Sequence, residues 1–147
     1  VTLVLDKPMP GFEDLQATLT YAYKQTGFEA ILKVKNTGEI ALRVSPGLHP
    51  YFAITGRPEL NGRVIDTTLT DETEFMQTEV HQLKTGLLDP ILSSQDLTTW
   101  AVWSGKSPDY LCVEPTQNGN SFSEKAISAS ELLEPGQSRQ YTFQIQW

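Results

Sequence analysis

Two residues in this chain have the types and settings needed for proton transfer. His49 lies in His49-Pro50-Tyr51-Phe52, and Glu114 ends the apolar run Tyr110-Leu111-Cys112-Val113, just ahead of Pro115. A histidine and a glutamate at strand edges can serve as acid and base, because a carboxyl set among apolar residues is pushed toward the neutral range. Pro50 biases His49 toward extended backbone, which would hold the imidazole at the rim of a sheet. The plain alternatives are a structural or surface histidine and a glutamate that faces solvent where its strand ends. Cys112 lies one strand period from Glu114 and shares its face. With no basic neighbour to activate it, it reads as a small buried hydrophobe. Trp100 and Trp103 flank Ala101-Val102. A tryptophan beside a polar cleft can stack on the C–H face of a sugar, although core packing is the commoner role. His81, among Glu79, Gln82 and Lys84, reads as solvated. Two isolated histidines and one cysteine offer no metal-ligand spacing. The sequence contains no GxGxxG, phosphate-binding loop or GxSxG element, so nucleotide and serine-hydrolase chemistry have no support.

The elements that must position these residues are strands. Leu15, Ala17, Leu19 and Tyr21 alternate with Gln16, Thr18 and Thr20. Ala30, Leu32 and Val34 alternate with Ile31, Lys33 and Lys35. Both runs have the period of two expected of half-buried strands, and Lys24-Gln25-Thr26-Gly27 between them suits a hairpin. Asn36-Thr37-Gly38-Glu39 closes the second strand with a polar turn. Further strands are expected at 41–45, 51–54, 64–69, 73–78, 98–103, 110–114 and 139–147, with 83–97 and 121–133 as the most loop-like stretches. Pro8, Pro10-Gly11, Pro46-Gly47, Pro58, Pro108 and Pro135-Gly136 punctuate the chain. Many short strands divided by turn signals imply an all-β fold, an antiparallel β-sandwich. Without repeat or linker, residues 1–147 form a single all-β domain.

Bulk properties narrow the partners. The formal charge is -7 with only 11 Lys+Arg, which argues against nucleic acid and anionic membranes. No apolar run approaches the roughly 20 residues that span a bilayer. The lone Cys112 points to a reducing compartment, hence a cytoplasmic address. A first residue Val1 in strand-like sequence suggests a piece of a longer polypeptide.

The two motifs, in this order, resemble the aldose 1-epimerase (galactose mutarotase-like) family, whose catalytic groups lie in HPYF-type and CxEP-type segments. Further likenesses are Leu32-Lys33-Val34-Lys35-Asn36-Thr37-Gly38-Glu39, Val102-Trp103 and Leu132-Leu133-Glu134-Pro135-Gly136-Gln137. They cover most of the chain from about Gly11 onward. The resemblance implies the C-terminal part of a β-supersandwich, with His49 as general acid and Glu114 as general base for interconverting sugar anomers. It implies no cofactor and no metal. It also implies a sugar-binding aspartate, for which Asp89 in Gly86-Leu87-Leu88-Asp89 is the best candidate and Asp66 and Asp71 are alternatives. Trp103 is the candidate stacking residue. His49 and Glu114 should face one concave surface with a sugar-sized gap between them. Ala53 stands where galactose mutarotases usually have Asn, which leaves the sugar open. The family's earlier part, with its substrate arginine, has no counterpart here. Two other functions follow from the same features: a non-catalytic carbohydrate-binding sandwich, and a hexose-6-phosphate 1-epimerase that would draw on Arg43, Arg57 or Arg63 as a phosphate clamp. Open sheet edges should favour self-association.

Overall fold

The computed structural model describes residues 1–68, 72–77, 80–119 and 127–147. Among the described residues fourteen strands follow one another: β1 Thr2–Val4, β2 Leu15–Lys24, β3 Gly27–Asn36, β4 Leu42–Arg43, β5 Tyr51–Ala53, β6 Glu59–Leu60, β7 Arg63–Val64, β8 Glu74–Gln77, β9 Val80–Lys84, β10 Ile91–Ser93, β11 Thr99–Trp103, β12 Tyr110–Thr116, β13 Leu132–Leu133 and β14 Ser138–Gln146. The only helical element among the described residues is a 3-10 turn at Ala129–Glu131. Every strand pairing among the described residues is antiparallel. One sheet runs β1-β2-β3-β14-β10-β9-β6-β7, a second runs β5-β12-β11-β8, and β13 pairs with β4. The expected antiparallel sandwich is therefore the architecture found.

The alternation legible in the sequence builds it. β2 and β3 pair in register from Leu15↔Asn36 to Lys24↔Gly27, so the hairpin turns through Gln25 and Thr26 as expected. Leu19, Tyr21 and Ala30 from these strands meet Phe143, Leu92, Leu83 and Leu60 of the same sheet in the core. Trp100, Val102, Leu111 and Val113 of the smaller sheet close over them from the other side. Trp100 is wholly buried; truncating such a residue to alanine costs roughly 3–5 kcal/mol. A second cluster of Val34, Leu42, Val44, Leu97, Leu133 and Tyr141 fills one end. There Asn36 is buried, and its side-chain amide donates to the Ile40 and Leu133 carbonyls at 2.7 and 2.8 Å. That satisfied amide explains why the Asn-Thr-Gly turn follows the strand.

The chain departs from the sequence reading in three places. The stretch 83–97 is not loop: β9 and β10 lie in the interior of the large sheet, and Leu83 and Leu92 are fully buried. The strand expected at 64–69 is short, covering only Arg63–Val64. Leu69, Thr78 and residues 120–126, which belong to other expected segments, lie outside the described residues.

The third departure is His81, which is not solvated. β9 alternates exposed and buried positions, so His81 and Leu83 point inward while Val80, Gln82 and Lys84 point outward. Polar neighbours along a strand occupy the opposite face and say nothing about the residue between them. The His81 ring packs on Trp100 with centroids 4.4 Å apart. The Asn61 side-chain oxygen accepts from the Gln82 N–H, which turns the amide nitrogen toward His81 Nδ1 at 3.1 Å. The ring is thus neutral with its hydrogen on Nε2, an atom with no hydrogen-bond partner among the described residues. Burial lowers the His81 pKa from 6.5 to about 4. Between those values the unfolded chain binds a proton that the folded one does not, so stability is full above 6.5 and falls as pH drops toward 4. We expect wild-type unfolding free energy to fall by roughly 2–4 kcal/mol across that window through this one residue. Denaturant titrations of wild type and His81→Leu at neutral pH and near the lower limit check this; an equal pH dependence in both would refute it.

Candidate active site

His49 and Glu114 meet through strand register. Tyr51 pairs with Cys112 in the β5–β12 ladder, and an isolated bridge joins Gly47 to Thr116. The two pairings lie four positions apart on each strand, and His49 and Glu114 are the midpoints, which sets them directly opposite each other. Leu48 N–H donates to the Pro115 carbonyl at 3.0 Å and Gln117 N–H to the Pro46 carbonyl at 3.0 Å, continuing the pairing ahead of Pro50. A cross-strand pair on one face brings its Cβ atoms within about 5 Å. Here His49 Nε2 lies 3.1 Å from Glu114 Oε1. The two share one surface as expected, but they touch, and no sugar-sized gap separates them.

The face they occupy is the outer one of the smaller sheet. On β12, Leu111 and Val113 point into the core, while Tyr110, Cys112 and Glu114 point the other way. Across the sheet, Glu114 is flanked on its far side by Ala101, and Ala101 in turn pairs with Phe75. Cys112 lies between Tyr51 and Trp103. The result is an acid–base pair among aromatic rings. Tyr51 stacks on the His49 imidazole with centroids 4.9 Å apart and planes at 18°. Trp103 presents an edge contact to the same ring at 6.1 Å. Tyr110 adjoins both Tyr51 and Trp103.

The electrostatics suit a base. The Glu114 side chain is only 15% exposed, whereas that of His49 is 51% exposed. Burial raises the Glu114 pKa above the ordinary carboxylate value, and the charge of His49 pulls it part of the way back. Cys112 is fully buried, and burial with Glu114 nearby pushes its thiol up to about 12. A thiol held there supplies almost no thiolate near neutrality, in keeping with its sequence reading as a small buried hydrophobe.

The tryptophans divide between the faces. Trp100 lies in the core and Trp103 on the site face, because three positions along a strand invert the side. Asp89 is exposed in the β9–β10 connection, where it lines a hollow with Thr26, Ile91, Gln146 and Trp147 instead of adjoining the pair. Asp66 is nearer the site, lining a cavity of about 180 Å³ together with Trp103, Ser104 and Arg63. Asp71 lies outside the described residues. Arg43 is bonded to the buried carboxylate of Glu131 at 3.1 Å, and Arg63 to Glu74 at 2.6 Å. Arg57 lines a different hollow with Ile65, Asp66 and Thr67. Sequence reasoning overlooked Tyr51, Tyr110, Phe75 and Ala101 as part of the site. Tyr51 and Tyr110 carried a signal: each lies an even number of strand positions from His49 or Glu114.

Searches with known proteins agree with this architecture. No protein-family model matches the sequence, and no curated protein matches it significantly. Solved structures do match. The Slr1438 protein of Synechocystis sp. PCC 6803 superposes with a TM-score of 0.77 at 18% identity, over 99% of this chain and 59% of its own. A galactose mutarotase-like protein of Lactobacillus casei gives 0.76 at 14% identity, over 99% of this chain and 68% of its own. A galactose mutarotase related enzyme of Lactobacillus acidophilus gives 0.75 at 14% identity, over 99% and 66%. The chain thus has the galactose mutarotase-like β-sandwich fold. It spans about three fifths to two thirds of the length of these proteins.

The opposed influences on Glu114 can be separated. We expect its carboxyl to titrate above the ordinary range, and to move higher still in His49→Ala, where the lowering contribution is gone. A carbon-detected NMR titration of both proteins reads this directly; an ordinary carboxylate value in H49A would count against it.

Proposed function

We propose that this chain carries the acid–base pair of an aldose 1-epimerase-like isomerase. One observation carries the reading: the 3.1 Å contact between His49 Nε2 and Glu114 Oε1 on an open, aromatic-rimmed face. In a cyclic sugar the anomeric hydroxyl oxygen and the ring oxygen are bonded to the same carbon. An acid and a base that serve both atoms at once must stand side by side, and a pair in mutual contact has that spacing.

Ionised Glu114 removes the proton from the anomeric hydroxyl while protonated His49 gives its proton to the ring oxygen. The bond from the anomeric carbon to the ring oxygen breaks, and the hydroxyl oxygen becomes the aldehyde carbonyl. Rotation about the adjacent carbon–carbon bond presents the other carbonyl face. Closure then runs the same transfers backward: Glu114 gives its proton to the carbonyl oxygen as the ring oxygen attacks, and His49 takes a proton back from that ring oxygen, which leaves both residues as they began. No electrons change hands. Trp103 and Tyr51 offer apolar ring surface against the sugar. The raised pKa of Glu114 makes it a stronger base than a free carboxylate. A phosphorylated sugar has less support, since Arg43 and Arg63 are bonded to Glu131 and Glu74. The lone buried Cys112 favours a reducing, cytoplasmic address.

Polarimetry of anomer interconversion tests this across several sugars and sugar phosphates. Glu114→Gln and His49→Asn should each lower kcat/KM at least ~100-fold while binding persists. Sugar binding with no catalysed interconversion in wild type would favour the carbohydrate-binding sandwich instead.

Self-association is proposed as well. β1 is an edge of the large sheet with Val1, Leu3 and Val4 exposed, and an edge of this kind recruits further strands. Light scattering should show concentration-dependent association, and Val4→Lys should reduce it.

A further inference from the structure

The acid–base reading leaves Cys112 without a role, although its sulfur lies against the pair. The ligand atoms of His49, Cys112 and Glu114 all fall within 4.8 Å of one another. We propose that these three side chains form a binding site for a thiophilic divalent cation of the zinc type. Where the acid–base function holds, the bound ion switches it off.

The geometry comes from the register that makes the pair. Cys112 and Glu114 are two apart on β12 and share a face, and His49 stands across from Glu114. A tetrahedral zinc with sulfur, nitrogen and oxygen ligands sets those atoms roughly 3.3–3.6 Å apart. The 3.1 Å between His49 Nε2 and Glu114 Oε1 is already close to one such edge, so the sulfur needs the main adjustment. The donor set is also selective. Thiolate and imidazole suit zinc and cobalt, whereas magnesium and calcium prefer oxygen ligands throughout. Three protein ligands leave the fourth position open.

Access is one-sided. Cys112 is fully buried and forms the floor, whereas half-exposed His49 marks the side from which an ion enters. A coordinating cation takes the place of the thiol proton, which leaves to solvent, so no free thiolate is required beforehand. Neither the metal nor the sulfur changes oxidation state. The ion would occupy His49 Nε2 and a Glu114 oxygen, the same two atoms that the proposed proton relay uses. Metal and relay are therefore mutually exclusive, and that half of the inference rests on the proposed function.

Cobalt(II) is the probe. Cys112 is the only cysteine in the chain, so a sulfur-to-cobalt charge-transfer band in the near ultraviolet can report no other residue. We expect wild type to develop that band on titration with cobalt, and zinc, but not magnesium, to bleach it. Cys112→Ser should abolish the band. His49→Ala, at a half-exposed position, should weaken zinc binding at least ~10-fold in competition with a chromophoric chelator. Absence of the band in wild type, or zinc affinity unchanged in H49A, overturns the site. Zinc should also suppress mutarotation in wild type, with the zinc-to-metal-free rate ratio relieved in C112S. A charge-transfer band without that suppression overturns the switch and leaves the site standing. A band in a chain with no mutarotation separates failure of the proposed activity from failure of the site.

Discussion

The register between the segment 47–53 and β12 is the constraint on which the site depends. Antiparallel strands alternate faces with a period of two, so a slip of one residue would send His49 to the other side. The slip is resisted from both ends. Below, Tyr51↔Cys112 and Ala53↔Tyr110 fix β5; above, Gly47↔Thr116 and the two bonds from Leu48 and Gln117 fix the approach. Pro50 gives the ladder no N–H, and it stands immediately before β5, which begins at Tyr51. Gly47 contributes by what it lacks. A Cβ there would stand 3.1 Å from Thr116 Cγ2 and 3.3 Å from the Pro115 carbonyl oxygen, tighter than packed atoms normally allow.

The same strands serve two environments. On β12 the inward residues Leu111 and Val113 are buried among Trp100, Leu83 and Phe143, and this holds the strand flat against the large sheet. The outward residues meet a half-open surface, where Glu114 loses enough water to raise its pKa but keeps His49 as a partner. A carboxylate without that partner would bear the desolvation alone and tend to protonate. The core thus sets the position of the base, and the edge strand moderates its charge.

Much of this was legible in the sequence. The β2–β3 alternation is strong because both strands are long and half-buried. The His49 and Glu114 segments stand out because proline flanks each of them. Other parts were hidden for physical reasons. β9 reads Val80-His81-Gln82-Leu83-Lys84, and its inward histidine broke the apolar alternation that would have marked a strand. β6, β7 and β13 are two residues long, too short to show any period. The grouping of Cys112 with His49 was invisible because they are far apart in sequence and meet only across the ladder. Asp89 was chosen from a local segment, and its neighbours come from chain ends that sequence proximity does not reveal.

Under the proposed function, chemical capability and substrate choice would have separate structural sources. The His49–Glu114 pair joins β12, with a packed core behind it, to the segment that leads into β5. Groups that would distinguish one sugar from another must reach hydroxyls away from the anomeric carbon, beyond the small face defined by His49, Glu114 and Ala101. Of the polar candidates, Asp66 lines a cavity that includes Trp103, while Asp89 lines a hollow beside β10 and β14. The row from His49 through Glu114 and Ala101 to Phe75 offers one small residue between a base and an aromatic ring. Under the proposed function, specificity would depend on what surrounds that row, because the pair itself would address only the two oxygens that aldoses share.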